Sequence, residues 1–476
     1  MEYEVVIGME VHVELNSRSK AFCGCSTNFH APPNTNVCPI CLGMPGVLPV
    51  LNRDHVNKSV AVGLALDCTI SRWSKMDRKN YFYPDLSKNY QISQYDLPLC
   101  CGGHLDIEVD GEIRSIGITR AHMEEDTARN THTLGGGNSG VDFNRCGVPL
   151  LEIVTEPDLR SAQEVYAFLT ALKQLLEYLE VSDCNMEEGS LRAEANVSLR
   201  PKGQAAFGVK TEIKNVASFS GVVKAIDYEI ARQTEILREG GKITQETRGW
   251  DAERGLTFPQ RQKESAHDYR YFPEPDLTPI VVDAAWEQRI RESLPEFPVA
   301  RKKRFVAEYK LSAYDAMVLT SARAMADYYE TVVRAGADPK LAANWIQVEL
   351  LSLLAEDGAD ISGCPVTPER LAGLIGLITS GAISGKMAKG VLHTMFETGK
   401  TAQAVVAEQG LAQISDSSEI ENVVRRVLAD NPGQVEQFKA GKTKVVGFLV
   451  GQVMRATQGK ANPKLVNDIM ERELNA

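Results

Sequence analysis

Four cysteines fall close together as Cys23-x-Cys25, twelve intervening residues, then Cys38-x-x-Cys41. Two close pairs joined by a loop of that size can fold back into a tetrahedral site of four thiolates, and the Pro and Gly neighbours favour the tight turns it needs. Protein sulfur would fill every position, leaving none for water, so the chemistry implied is a structural zinc site. The alternative is four unpaired or disulfide-linked cysteines, and the first pair is C-x-C rather than the commoner C-x-x-C. The chain has 10 cysteines in 476 residues, too few for a disulfide framework.

Carboxylates and imidazoles form a second set. In 9-MEVHVEL-15 and the residues before it, Ile7, Met9, Val11, Val13 and Leu15 alternate with Glu10, His12 and Glu14. Period two predicts a strand with one buried face, so Glu10 and His12 point the same way. Glu14 reads as the ordinary polar end of that strand. The extended stretch 116-IGITRAHMEEDTAR-129 ends in His122, Glu124, Glu125 and Asp126. Glu152 sits in the apolar run 150-LLEIVTEPD-158, and Glu194 and Glu212 lie on the strand-like segments 192-RAEANVSLR-200 and 209-VKTEIKN-215. A carboxylate set among apolar residues is costly unless neutralised, and a divalent cation held by oxygens, with His as an extra ligand, is one solution. Oxygen-rich ligation favours Mg2+, which commonly bridges nucleotide phosphates. Surface ion pairs are the competing reading.

Nucleotide loops add little. The string 440-AGKTK-444 resembles the end of a Walker A loop, but Glu436 stands where its first glycine must be. The Gly-rich 135-GGGNSG-140 has neither the P-loop lysine nor the G-x-G-x-x-G spacing and reads as a connector. Two aromatic-basic strings, 78-RKNYFYPDLSKNYQISQYD-96 and 268-DYRYFPEPDL-277, have the composition either of a base-stacking surface or of a packed core.

The elements that must carry these residues are of two kinds. Strand signals dominate the first 290 or so residues, with helices between them. The helix at 161-SAQEVYAFLTALKQLLEYL-179 opens on a capping box, Ser161 and Glu164, and aligns Val165, Phe168, Leu169, Leu172, Leu176 and Leu179 in one stripe. A second helix runs from about 217 to 239 and ends at Gly240-Gly241. The Pro-rich 294-LPEFPV-299 marks a boundary, beyond which residues to about 405 read as helical. A looser stretch, 397–419, precedes a small C-terminal helical unit. The length calls for two or three domains, and no apolar run could span a bilayer. The N-terminus has no basic n-region, so the expectation is a cytoplasmic protein or one whose targeting segment has been removed. Net charge is −11, which disfavours nucleic acid as a partner overall, yet totals conceal patches. From 437 to 467 the chain carries Lys439, Lys442, Lys444, Arg455, Lys460 and Lys464 and no acid, and Arg301-Lys302-Lys303-Arg304 forms a second cluster. Each alone reads as a solvated face.

With these residues placed, the chain resembles the B-subunit family of the bacterial aspartyl/glutamyl-tRNA(Asn/Gln) amidotransferases. The resemblance runs end to end, through VIGMEVHVEL, CPICLGMPGVLPVLN, DRKNYFYPDLSKNYQISQYD, ITRAHMEEDTAR, GVPLLEIVTEPD, MEEGSLRAEANVSLRP, TEIKNVASF, DYRYFPEPDL and GFLVGQVMRATQGKANPKLVN. It implies an α+β fold: a mixed or antiparallel-sheet cradle domain at 1–295 with the zinc insertion at 22–49, an all-α domain at 296–405, and a helical tail domain at 406–476 that contacts tRNA. It implies an ATP-dependent ligase component that phosphorylates the side-chain carboxylate of misacylated Glu-tRNA(Gln) or Asp-tRNA(Asn). Ammonia then attacks the acyl phosphate; a separate amidase (A) subunit releases it from glutamine and passes it through a tunnel, and a small C subunit steadies the heterotrimer. Neither DNA nor a membrane is a partner. Mapped by motif, Glu10, His12, Glu125, Glu152, Glu194 and Glu212 become the Mg2+ candidates, with Glu10, His12 and Glu125 as catalytic. Lys79, Tyr81, Tyr83 and Lys88 become candidates for ATP or substrate contact. Many family members carry Asp at the position of Glu194, and some lack the four cysteines, which suits zinc as a scaffold. The acid-free stretch from Lys439 to Lys464 becomes a phosphate-contacting surface.

Two other classes compete: a tRNA-binding scaffold without chemistry of its own, and a free-standing zinc enzyme. Glu125→Gln separates the first, since a scaffold would transamidate normally. Chelation followed by Mg2+ resupply separates the second.

Overall fold

The computed structural model describes residues 2–131, 138–262, 269–411, 417–457 and 460–475. The chain divides into two compact units, Met1–Phe297 and Pro298–Ala476, the break falling inside the proline-rich segment expected to be a boundary.

The first unit is built on a ten-stranded sheet. In chain order its strands are β1 (Tyr3–Glu14), β2 (Thr69–Ile70), β3 (Cys100–Cys101), β4 (His104–Val109), β5 (Glu112–Glu125), β6 (Pro149–Thr155), β7 (Leu191–Pro201), β8 (Thr211–Lys214), β9 (Glu246–Asp251) and β10 (Leu256–Gln262). Across the sheet they run β10-β9-β8-β7-β1-β6-β5-β3-β2, with β4 paired to β5. The β8–β9 pair is parallel and the other pairs are antiparallel.

The N-terminal strand lies near the middle of this sheet. Its odd residues Ile7, Met9, Val11 and Val13 are buried in the core, as their alternation requires. That core is closed by three helices, α1 (Arg53–Ala65), α2 (Ala162–Tyr178) and α3 (Phe219–Arg238). Helix α2 starts at the expected cap: the Ser161 hydroxyl accepts the Glu164 N–H at 3.1 Å. The stripe Val165, Phe168, Leu169, Leu172 and Leu176 is buried as a row, and truncating Phe168 to Ala would cost about 3–5 kcal/mol. Ser218 caps α3 in the same way, and α3 stops where Gly240 takes a φ of +81° that a Cβ would strain. With helices packed on one side, the even residues of β1 are left to the other side of the sheet.

Two additions are joined to this framework. One is the cysteine-bearing segment between β1 and α1. The other is a three-stranded sheet of Asp77–Asn80, Tyr90–Ser93 and Phe272–Pro273. It joins the two aromatic-basic strings, which lie nearly two hundred residues apart in the chain.

The second unit is helical among its described residues and holds two hydrophobic cores, one from Phe305 to Val406 and one from Ile420 to Leu474. The stretch 397–419, expected to be loose, contains a regular helix, Ala402–Glu408, capped by the Thr401 hydroxyl and buried through Ala402, Val405 and Val406; residues 412–416 lie outside the described residues. Residues 135–137 of the Gly-rich connector lie outside them as well.

Candidate cation and substrate site

Five consecutive strands each place a carboxylate on the sheet face opposite the helices. Register fixes the row. Glu10 on β1 lies directly opposite Glu194 on β7, and His12 opposite Glu152 on β6. Glu152 in turn lies opposite His122 on β5, two residues from Glu124. Glu212 on β8 pairs with Asn196, on the same face as Glu194. Strands stand about 4.8 Å apart, so the row is about 19 Å wide, more than one ion can span.

The row resolves into three overlapping groups: Glu10, His12 and Glu152; His122, Glu124 and Glu152; and Glu10, Glu194 and Glu212. In each, one ligand atom per residue lies within 4.8 Å of the others. The Nε2 atoms of His12 and His122 approach the same Glu152 oxygen at 3.3 and 3.4 Å. Glu124 Oε1 accepts from Ser93 Oγ at 2.6 Å, and Glu124 Oε2 from Gln91 Nε2 at 3.1 Å, which fixes the carboxylate. Two ammonium groups face the row: Lys79 stands 4.0 Å from Glu124, while Lys214 pairs with Glu194 and lies 3.6 Å from Glu212.

Charge in the row leans negative: among the described residues, five carboxylates face the ammonium groups of Lys79 and Lys214 and the imidazoles of His12 and His122. Burial, reinforced by Glu152 and Glu194, pushes Glu10 above the usual carboxylate range. Burial opposes an imidazolium at His12, yet its bond to Glu152 and the charges of Glu152, Glu194 and Glu10 prevail and raise it to about 9. Glu152 stays low against burial because His122, His12 and Lys79 surround it. Each imidazole also keeps a buried Nδ1 with no hydrogen-bond partner among the described residues. An oxygen-rich, electron-rich row with spare nitrogen donors fits a hard divalent cation such as Mg2+.

Glu125 is not in this row. It follows Glu124 on the strand and therefore leaves β5 on the other side. Its Oε1 accepts the Ile92 N–H at 2.9 Å and pairs with Lys88, beside a cavity of about 130 Å³ lined by Lys20, Phe22, Cys41, Gly43 and Tyr90. Of the six expected cation ligands, Glu10, His12, Glu152, Glu194 and Glu212 converge and Glu125 does not. Glu124, His122 and Lys214 join in its place. The spacing His122-x-Glu124 repeats Glu10-x-His12, a period-two signal that the sequence does carry.

Nor is Glu14 an ordinary strand end. Burial and the neighbouring Asp126 hold its carboxyl well above the usual range, while Asp126 is kept low, against burial, by Arg145 and Arg192. Of the four expected substrate contacts, Lys79 faces the row and Lys88 faces Glu125. Tyr81 packs edge-on against Tyr269 at 5.8 Å, and Tyr83 is exposed.

The four cysteines come together as a separate group, with their sulfurs within 4.8 Å of one another. The Cys41 sulfur receives the Cys38 N–H at 3.2 Å and approaches Lys20 Nζ at 3.5 Å. Its bond to Cys23, helped by the Cys38 N–H and Lys20, holds Cys41 as a thiolate down to about 4, while the same bond pushes Cys23 up. Four crowded sulfurs with N–H donors behind them fit a tetrahedral metal such as zinc, and leave no open position.

Sequence similarity to known proteins extends along nearly the whole chain. Residues 5–288 match the model of the GatB/GatE catalytic domain and residues 327–474 that of the GatB domain. The B subunit of an aspartyl/glutamyl-tRNA(Asn/Gln) amidotransferase from Moorella thermoacetica is 56% identical over 476 residues, covering 100% of both chains. Proteins of the same name from Carboxydothermus hydrogenoformans and Geobacter sulfurreducens are each 55% identical, covering 99% and 100% of both chains. The chain belongs to the B-subunit family of these amidotransferases.

In this member of the B-subunit family the basic clusters diverge. Arg301 is buried, held by Asp327 at 2.5 Å and by Glu330, which also binds Arg304 at 2.7 Å. Those two arginines pin helices together. In the tail, Lys439, Lys442, Lys444, Arg455 and Lys464 are exposed and Lys460 is half-buried. No described helix of the chain is long and apolar enough to cross a membrane.

Proposed function

We propose that this chain is the phosphorylating and tRNA-binding component of a cytoplasmic, tRNA-dependent amidotransferase. It would act with an amidase (A) subunit and a small C subunit on Glu-tRNA(Gln), Asp-tRNA(Asn) or both. The observation that carries the reading is the row of five carboxylates on five consecutive strands, flanked by Lys79 and Lys214.

A carboxylate acylates poorly because its leaving group would be oxide. Phosphorylation removes that obstacle. A side-chain carboxylate oxygen of the misacylated residue attacks the γ-phosphorus of ATP, and the bond to the ADP oxygen breaks. Ammonia then attacks the carbonyl carbon of the acyl phosphate, phosphate leaves, and the amide remains. Mg2+ ions held in the three groups formed by Glu10, His12, His122, Glu124, Glu152, Glu194 and Glu212, directly or through water, would neutralise phosphate charge during the first transfer. The chain's own residues bind and orient. Ser93 and Gln91 fix Glu124. Lys79 and Lys214 offer ammonium groups to phosphate or substrate oxygens on either side of the row. No nucleophilic side chain is needed, because in-line positioning and electrostatics supply most of such catalysis. Zinc in the Cys23, Cys25, Cys38 and Cys41 group would brace the insertion.

The test is transamidation by the reconstituted heterotrimer with each misacylated tRNA, with and without ATP, alongside Glu152→Gln. The expected result is ATP-dependent product from at least one tRNA. Glu152→Gln should abolish ATP cleavage while tRNA still binds. Normal turnover by Glu152→Gln would establish the scaffold reading instead, and no ATP-dependent product from either tRNA would reject the function.

A further inference from the structure

The two aromatic-basic strings form one surface beside the carboxylate row. In the small sheet Arg78 lies opposite both Ile92 and Phe272, and Lys79 opposite Gln91. Arg78 locks this sheet: its guanidinium pairs with Glu274 at 2.7 Å and Asp276 at 3.2 Å and lies over the Tyr90 ring at 4.3 Å. The aromatic rings are ordered around that support. Tyr95 and Tyr271 stack at 4.3 Å with their planes 7° apart. Tyr269 meets Tyr271 at 6.1 Å and Tyr81 at 5.8 Å, and the Lys79 ammonium lies over the Tyr269 ring at 5.2 Å.

This ledge touches the site at one end and solvent at the other. Lys79 connects it to Glu124, and the Tyr271 hydroxyl feels the charges of Lys79, Glu124 and Glu152. On this sheet and beside it Tyr95 is 46% exposed and Phe272 44%, and Phe82 (75%) and Tyr83 (52%) are exposed in the loop that follows Asn80. Large rings left in water on a rigid support are costly unless something covers them.

We propose that this ledge binds the unpaired 3′ end of the aminoacyl-tRNA, with the terminal adenine stacked on Tyr95. The inference rests on the function proposed above and extends it to a specific subsite. The reacting carboxylate is esterified to the terminal ribose, so when it meets the row, the terminal base lies one amino acid and one ribose away. Tyr95 stands one stacked ring beyond Tyr271, whose hydroxyl feels the charges of Lys79, Glu124 and Glu152. ATP brings a single base, whereas the exposed rings outnumber what one base can cover. A single strand presents successive bases, and aromatic stacking with nearby cations is how such strands are held. Lys79 and the exposed Arg270 supply the cations, Arg270 being tied to the sheet through its carbonyl, which accepts from Asn80 at 2.9 Å.

The test uses the reconstituted heterotrimer and Glu-tRNA(Gln) carrying 2-aminopurine in place of the terminal adenine. Stacking quenches the probe. With the wild-type complex the fluorescence should fall on binding. Tyr95→Ala should remove the quenching and raise KM for Glu-tRNA(Gln) about tenfold, the loss of one base–aromatic stack, with KM for ATP unchanged. Tyr95→Phe, which keeps the ring, should behave as wild type. Tyr95→Leu serves as a second ring-less variant, and thermal melting confirms that each variant is folded. A rise in KM for ATP alone would assign the ledge to the nucleotide and overturn the proposal. Quenching and KM that stay at wild-type values in both ring-less variants would overturn it too. A wild-type complex that binds and quenches the probe but makes no ATP-dependent product would reject the function and leave the subsite standing.

Discussion

Glu124 and Glu125 leave β5 on opposite faces, and that single step decides which of them can meet a cation. Glu124 joins His122 and Glu152, while Glu125 neutralises the buried Lys88. Glu152→Gln should therefore weaken Mn2+ binding, followed by electron paramagnetic resonance, at least tenfold or so, since even residues behind a ligand cost about that much. Glu125→Gln should leave Mn2+ binding unchanged. It should instead lower stability by about 3 kcal/mol in urea unfolding, because Lys88 is left buried without its partner. Equal Mn2+ affinities for the two variants would place the cation elsewhere. Most of this row is legible residue by residue: Glu10, His12, Glu152, Glu194 and Glu212 each stand in an apolar alternation. Glu124 is hidden in a run of acids whose strand end the sequence does not mark. Lys214 is hidden because nothing local distinguishes a lysine facing carboxylates from one facing water.

At the scale of elements, strands and helices with local signatures appear where their patterns put them. The capping serines Ser161 and Ser218 start α2 and α3, and burial alternates from Ile7 to Glu14 on β1 and from Leu191 to Val197 on β7, whereas β5 is exposed over Glu112–Ser115 and buried throughout from Ala121 to Glu125. What local pattern cannot carry is the pairing of Asp77–Asn80 with Phe272–Pro273, which depends on closing a loop of nearly two hundred residues. Packing between elements also sets a pH response. His55 on α1 is fully buried, its Nε2 3.1 Å from the Leu150 carbonyl on β6, and burial lowers it to about 4. The unfolded chain protonates this imidazole near 6.5 and the folded one only near 4. Between those values the unfolded state binds more protons, so stability is full above pH 6.5 and is lost as pH falls towards 4. The loss should reach about 3 kcal/mol. In urea unfolding at pH 7 and pH 4.5, His55→Gln should flatten this part of the profile; an unchanged slope would mean the imidazole is not held neutral.

At the scale of the whole molecule, an acidic chain is asked to bind a polyanion, which requires positive charge to be local and unpaired. Sequence alone treats Arg301–Arg304 and Lys439–Lys464 alike. The structure separates them: Arg301 and Arg304 are consumed by Asp327 and Glu330, whereas the tail lysines stand exposed on and between short helices. The helix Val445–Ala456 buries Leu449 and Val453, packs Val446, Val450 and Met454 against the tail core, and leaves Gly447, Phe448, Gly451, Arg455 and Ala456 exposed. If the tail meets the tRNA body, each phosphate contact releases counterions, and the logarithm of affinity falls with the logarithm of salt by about 0.7–0.9 per contact. The double variant Lys442→Ala, Lys444→Ala should then lose roughly 1.4–1.8 from that slope. It should raise KM for the misacylated tRNA and leave KM for ATP and Mn2+ affinity as they were, because neither lysine belongs to the carboxylate row. Measured on the heterotrimer between 50 and 200 mM salt, an unchanged slope would return these lysines to the role of a solvated face and move tRNA-body recognition to another surface of the complex. The acidic total would then count against this chain's tail as it does for most acidic proteins.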